Sequence, residues 1–80
     1  MEAGDRAGEG TAYRNLGNAY KGLGQFHKAI EMHEKCLAIA LEVGDRVQEG
    51  MAYGNLACAY EKVGQLDKAE KMRQAALLPA

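Results

Sequence analysis

The chain has 80 residues, with ten Lys and Arg, eleven Asp and Glu, and a formal net charge of −1. Because the opposite charges are interspersed, no extended field would attract nucleic acid or an anionic membrane, and we expect neither as a partner. Two cysteines are too few for a disulfide framework, and the first ten residues lack the pattern of a secretory signal. Charges also interrupt every apolar segment that could cross a bilayer. We therefore expect a soluble protein of the reducing cytoplasm, too small for a deep catalytic cleft.

Most of the chain consists of one segment that occurs twice. Residues 4–40 align with residues 44–80 without a gap, at a spacing of 40 residues, and roughly half of the aligned positions are identical. A period in this range is typical of stacked supersecondary units rather than of one closed globule. We predict a single domain over residues 1–80, made of repeat 1 (4–43) and repeat 2 (44–80), with its function on a surface.

Each repeat has the apolar spacing of two helices. In repeat 1 a first helix, helix A, is predicted between Gly10 and Leu23, because its apolar residues recur at intervals of three and four. That stripe comprises Ala12, Leu16, Ala19, Tyr20 and Leu23. A second helix, helix B, is predicted from Phe26 to Val43, and Gly44 is suited to the left-handed conformation that ends a helix.

Repeat 2 follows the same plan. Its first helix has an apolar stripe of Ala52, Leu56, Ala59, Tyr60 and Val63, and Pro79 is expected to end the second. Asp45 is predicted to cap the first helix of this repeat, and Asp5 stands at the equivalent place in repeat 1. The charged residues of the first helix B are predicted to form a solvent face with close ion pairs. They are Lys28, Glu31, Glu34 and Lys35.

Small and aromatic residues indicate that each pair of helices forms a hairpin. Gly17 and Ala57 share one position of the repeat, and Ala29 and Ala69 share another, so we expect the helix backbones to approach closely there. The tyrosine one turn after the first of these positions can fill the space between helices while its hydroxyl reaches the rim. We therefore predict an all-α chain of two tandem helix-turn-helix hairpins, in which Tyr20 and Tyr60 act as inter-helix wedges.

At these positions the chain resembles the tetratricopeptide repeat. The matching residues are Tyr13, Leu16-Gly17, Tyr20, Ala29 and Cys36-Leu37, then Tyr53, Leu56-Ala57, Tyr60, Ala69 and Ala76-Leu77. It departs from the pattern at His33 and Arg73, which replace the helix B aromatic, at Cys36 and Ala57, and in lacking the terminal proline of the first unit. The 40-residue period is similar to the long-repeat subclass of Pins-type G-protein-signalling modulators.

The resemblance implies an α-solenoid fragment, a right-handed superhelix whose A helices line a concave groove that holds a peptide of a partner protein. On this basis we expect a protein-interaction scaffold with no enzymatic activity and no cofactor. The candidate peptide-binding residues lie on the face of helix A turned away from the apolar stripe. They are Arg14, Asn15, Asn18, Lys21, Asn55, Cys58 and Lys62.

Three of these residues indicate what the groove would bind. Arg14 and Asn18 are one turn apart, and Asn55 would approach from the neighbouring helix, so their donors suit a backbone carbonyl or a carboxylate. The trio resembles the first part of the carboxylate clamp of chaperone-binding members of the family. We therefore expect the partner peptide to be acidic.

Each candidate also has a purely structural interpretation. Asn15 and Asn55 could instead tie neighbouring helices together, and Arg14 and Lys21 could be solvated charges. Cys58 is a free thiol for which packing is favoured over a redox-sensitive contact. His33 and Cys36 could face one metal ion, but no second pair of ligands follows at a recognisable spacing, so no metal site is predicted.

A second interpretation of the chain is a structural self-association unit. Helical repeats normally need at least three units to cover their apolar faces, and this chain has two. The last helix presents several apolar residues, part of which a following helix A would ordinarily cover: Leu66, Ala69, Met72, Ala76, Leu77 and Leu78. We expect a homo-oligomer, either a two-fold dimer, an end-to-end stack, or a swapped form in which helices fuse through Gly44.

Overall fold

Four helices make up the part of the chain that the computed structural model describes, residues 5–77. They are α1 (Arg6–Gly22), α2 (Phe26–Val43), α3 (Arg46–Lys62) and α4 (Leu66–Leu77). The predicted all-α architecture of two tandem helical hairpins is confirmed, although α1 begins one turn earlier than Gly10. Leu78 and Pro79, on which the sequence analysis also relied, lie outside the described residues. Within residues 5–77 no helix is long and apolar enough to cross a membrane.

Of the helix ends predicted within the described residues, those at Gly44 and Asp45 are confirmed and the one at Asp5 is not. Gly24, Gly44 and Gly64 end α1, α2 and α3 with φ between 74° and 81°, a conformation that favours glycine. Asp45 caps α3, since its Oδ1 accepts a hydrogen bond from the Gln48 backbone N–H at 3.0 Å. The equivalent cap at Asp5 was predicted wrongly. Its ψ of 10° is not extended, and its side chain makes no cap hydrogen bond.

The core lies where the second hairpin packs against α2. It comprises Ile30 from α2, Leu56, Ala59 and Tyr60 from α3, and Ala69 from α4, with Leu37, Val63 and Met72 packed around it. Helices adjacent in the chain pack on one another, and α1 also touches α3. The inter-helix role predicted for the tyrosines is confirmed for Tyr60, which is buried, whereas Tyr20 is only half-buried.

The apolar stripe of α1 does not face α2. Leu16 is 46% exposed, whereas Leu56, which occupies the same position in the second repeat, is 1% exposed. The reason is that α2 covers the apolar stripe of α3, whereas no helix within residues 5–77 covers the equivalent stripe of α1. We call the uncovered residues Ala12, Leu16, Ala19 and Leu23 the α1 stripe. The apolar stripe predicted for helix A is therefore left open in the first repeat.

The small residue at position 17 accommodates a side chain rather than a backbone. A Cβ on Gly17 would lie 2.6 Å from His33, so the glycine makes room for an imidazole ring from α2. In the second repeat Ala57 occupies that position, and Arg73 is turned outward, where it pairs with Glu61. The small residue at this position thus makes room for a side chain of α2 in the first repeat, whereas in the second repeat the corresponding Arg73 points away.

The charged residues of α2 contact tyrosines instead of one another. Lys28 lies 5.5 Å from the ring centre of Tyr20, and Lys35 lies 5.5 Å from that of Tyr13. Glu34 accepts a hydrogen bond of 2.8 Å from the Tyr60 hydroxyl, across the boundary between the hairpins. Among the described residues no ion pair joins these α2 side chains, so the predicted i,i+3 and i,i+4 pairs are not formed.

Candidate functional site

The candidate groove lies on the faces of α1 and α3 that carry the residues singled out from the sequence. On α1, Gly10 and Gly17 are buried beneath α2. Arg14, Asn18 and Lys21 lie on the side of the helix turned away from the α1 stripe, because each residue advances about 100° around the axis. Arg14 reaches from this face to α3 and therefore marks where the two helices meet.

A chain of three side chains joins α1 to α3. Arg14 Nη1 donates to Gln48 Oε1 at 2.8 Å, and Gln48 Nε2 donates to Thr11 Oγ1 at 3.1 Å. Arg14 Nη1 also lies 3.7 Å from Met51 Sδ. Since Gln48 is buried and Arg14 is half-buried, the guanidinium is held in place between the two helices. Arg14 thus has a structural role in addition to the binding role predicted for it.

Gln48 was not predicted from the sequence as a residue of this site. The only signal available was its position three residues after Asp45, which is typical of a capping box in which the glutamine side chain returns to the cap residue. Here the backbone N–H of Gln48 serves the cap at Asp45, while its side chain crosses to the neighbouring helix. The sequence pattern thus indicated a cap within α3, whereas the Gln48 side chain contacts α1.

The asparagines of the groove have no protein partner for their side-chain amides in the part of the chain that the structure covers. Asn15 and Asn18 are exposed, and Asn55 is half-buried one turn beyond Met51 on α3. The alternative in which Asn15 and Asn55 tie neighbouring helices together is therefore not seen. Their donors and acceptors face solvent or the groove, where a ligand could meet them.

The remaining candidates lie further from Arg14. Lys21 and Lys62 are exposed in the last turns of α1 and α3, where a cation also interacts favourably with the helix dipole. Cys58 is half-buried and lines an open depression of about 420 Å³ between α3 and α4. This depression is lined by Gly54, Cys58 and Glu61 from α3 and by Arg73, Ala76 and Leu77 from α4.

His33 and Cys36, the pair considered as possible metal ligands, lie on α2. Both are buried in the first hairpin, and burial raises the pKa of the Cys36 thiol, which disfavours the thiolate that would bind a metal. Among residues 5–77 no three His, Cys, Asp or Glu side chains are grouped so that they could hold a metal ion.

Comparison with known proteins agrees with this geometry. A family model described as tetratricopeptide repeat matches residues 4–77, which include all four helices. No curated protein matches the chain. The family match thus covers the two hairpins and the groove between α1 and α3.

Proposed function

We propose that this chain, which belongs to the tetratricopeptide repeat family, is a scaffold module that binds an acidic peptide of a partner protein along the groove of α1 and α3. Repeats of this family mediate protein–protein interactions in general. The proposal includes the absence of enzymatic activity, membership of the long-repeat subclass, and a reducing cytoplasmic location in which Cys36 and Cys58 stay thiols.

The observation that carries the proposal is the position of Arg14. Its guanidinium offers five N–H donors in a fixed plane, and among the described residues only Nη1 is engaged, by Gln48 and Met51. A held guanidinium binds a carboxylate with a smaller loss of side-chain freedom than a mobile one. Asn18 and Asn55 would add neutral donors on the two sides of that carboxylate.

The expected affinity is modest. The groove contains two A helices, so it would contact a short length of peptide and bury less surface than a stable protein complex does. Arg14, Lys21 and Lys62 would attract acidic side chains, and this attraction falls as salt is added. We expect dissociation constants of about 1 µM or weaker, which rise with ionic strength.

Calorimetric titration of two matched peptides would test the proposal. One peptide carries Asp and Glu, and the other carries Asn and Gln at the same positions. The acidic peptide should bind more tightly to the wild type, and Arg14→Ala should remove most of that difference. Arg46→Ala is the matched control, because Arg46 is an exposed arginine of α3 whose side chain pairs with Glu49.

Equal affinity of the two peptides for the wild type would refute an acidic preference. If Arg14→Ala and Arg46→Ala lose equal affinity for the acidic peptide, net charge rather than the groove determines binding. Circular dichroism of each variant must accompany the titrations, because Arg14 also joins α1 to α3 through Gln48.

A second candidate function, self-association, is favoured by the exposure of Leu16 described above. An apolar stripe that is buried in one repeat and uncovered in the other is suited to contact another helix. A dimer, a stack or a swapped form would cover it. The swapped form requires Gly44 to leave its left-handed conformation, with φ of 74°, for a helical one.

A further inference from the structure

The α1 stripe has the spacing of a coiled-coil seam. With two acidic residues ahead of it, the series on one side of α1 is Asp5, Glu9, Ala12, Leu16, Ala19 and Leu23, at alternating intervals of four and three. The four apolar members are all exposed, and the buried residues of α1 are the two glycines that face α2. An open groove of about 460 Å³ follows the first half of this series, as far as Leu16.

The second repeat shows what kind of element covers such a series. The equivalent residues of α3 are Asp45, Glu49, Ala52, Leu56, Ala59 and Val63, and its three central apolar members are 0 to 1% exposed. The covering element is α2, which is joined to α3 by a two-residue turn and so runs antiparallel to it. A helix antiparallel to α1 is therefore the natural partner of the α1 stripe.

The α4 helix of a second copy is poorly suited to this place. It is the repeat equivalent of α2, but Glu70 stands where α2 carries the core residue Ile30. Arg73 lies one turn further on, 3.6 Å from Glu70. An end-to-end stack would place this carboxylate against Leu16, and burying a charge on an apolar surface is unfavourable.

We propose that the α1 stripe is a self-complementary interface, on which α1 of a second copy packs antiparallel across a two-fold axis. This deepens the second candidate function, self-association, on which it rests. With the axis near residue 14, Ala12 lies opposite the partner subunit's Leu16, and Leu16 lies opposite the partner subunit's Ala12. Small side chains thus meet large ones on both sides of the axis, as required for close packing.

Charge complementarity fixes the antiparallel direction. Asp5 and Glu9 lie at the N-terminal end of α1, and Lys28 of α2 lies over the ring of Tyr20, near the C-terminal end of α1. An antiparallel pair places these acids near the partner subunit's Lys28 and opposes the two helix dipoles. A parallel pair would place acid against acid. The same face is thus complementary to itself only in the antiparallel arrangement.

The dimer should be weak and concentration-dependent. α1 has 17 residues and is about 25 Å long. One pair of such helices buries less than the roughly 800 Å² per partner that stable complexes bury. The groove residues Arg14 and Asn18 lie on another face of α1, so the dimer leaves the proposed peptide site open.

Sedimentation equilibrium of the 80-residue chain over a hundredfold range of concentration tests the inference. The wild type should approach twice the monomer mass and no more. Leu16→Glu should raise the dissociation constant at least tenfold, because it places a carboxylate at the centre of the seam. Leu77→Glu is the matched control: Leu77 is 83% exposed on α4 and lies outside the α1 stripe, so this variant should dimerise as the wild type does.

A mixing experiment strengthens the test. Ala12→Lys alone should also weaken the dimer, but mixed with Leu16→Glu it should restore a heterodimer, since the new lysine would lie opposite the new glutamate. Both changes are at exposed positions, so circular dichroism should show unchanged helix content. If Leu16→Glu loses helix, Ala12→Lys and Ala19→Lys serve as the variants.

The possible failures are distinguishable. A wild-type chain that is monomeric throughout refutes self-association as a whole. A dimer that persists in Leu16→Glu would support self-association but overturn the α1 pairing. The same holds for a wild-type mass that grows beyond two subunits and falls in Leu77→Glu. Absence of rescue in the mixture overturns the two-fold register.

Discussion

The imidazole of His33 fills the space above the backbone of Gly17. A Cβ on residue 17 would lie 2.6 Å from His33 Cε1 and Nε2 and 2.8 Å from Nδ1, which is closer than atoms can pack. His33 is 1% exposed, so it has no room to withdraw. The glycine of α1 and the histidine of α2 therefore depend on each other.

The first prediction follows from this contact. Gly17→Ala should destabilise the chain by about 1 to 3 kcal/mol, the usual effect of overpacking a core. Gly54→Ala is the matched control, because no atom lies within 4 Å of a Cβ there and alanine favours a helix. Urea unfolding should show opposite signs for the two variants. Equal stability would mean that His33 moves aside without loss.

The second repeat suggests a compensating change. There Ala57 and Arg73 replace the glycine and histidine, and the arginine lies outside the core in a pair with Glu61. We expect the double variant Gly17→Ala with His33→Arg to recover part of the stability that Gly17→Ala loses. A double variant that is less stable than both single variants would contradict this coupling.

The third prediction concerns pH. Burial lowers the pKa of His33, nearby Lys21 lowers it further, and neither ring nitrogen has a hydrogen-bond partner among the described residues. The unfolded chain therefore binds a proton at a higher pH than the folded chain does. Stability should fall as the pH drops below the ordinary histidine value of 6.5.

Thermal melts between pH 7.5 and 5 would measure this effect. His27→Gln should show the same pH dependence as the wild type, because His27 is exposed on the same helix. In His33→Phe the melting temperature should vary less with pH between 7.5 and 5. An identical slope in His33→Phe would assign the acid sensitivity to another group.

Much of the fold could be predicted from the sequence, because apolar spacing and glycine turns are local properties. Burial could not be predicted in the same way. Leu16 and Leu56 have nearly the same neighbours in sequence, yet only Leu56 is covered, because its cover comes from a different hairpin. For the same reason the helix-spacing rules do not indicate that Arg14 bonds to Gln48, 34 positions away.

The fourth prediction compares the two tyrosines. Tyr60 is 7% exposed and donates to Glu34 at 2.8 Å, whereas Tyr20 is half-buried. Tyr60→Ala should lose about 3 to 5 kcal/mol of stability, enough to abolish folding in so small a domain, and Tyr20→Ala should lose clearly less. Chemical unfolding of both variants would measure this, and equal losses would contradict the difference in burial.

The Tyr60 hydroxyl gives an independent check. Burial and the bond to Glu34 raise the pKa of Tyr60 to about 12. In an ultraviolet titration the wild type should therefore show a late ionisation step near pH 12, and this late step should be absent in Tyr60→Phe. A late step that persists in Tyr60→Phe would assign it to another tyrosine.

The two glycines buried in α1 also determine how the molecule opens. A helix whose buried residues carry no side chain contributes little apolar area to the core, so its backbone hydrogen bonds can break while α2, α3 and α4 stay packed around Leu56. Amide protons of α1 should therefore exchange with solvent through local opening. Those of α3 should exchange only when the whole domain unfolds. The first helix thus behaves as a separate unit of low stability, and any molecule that covers its outer side would slow its exchange first.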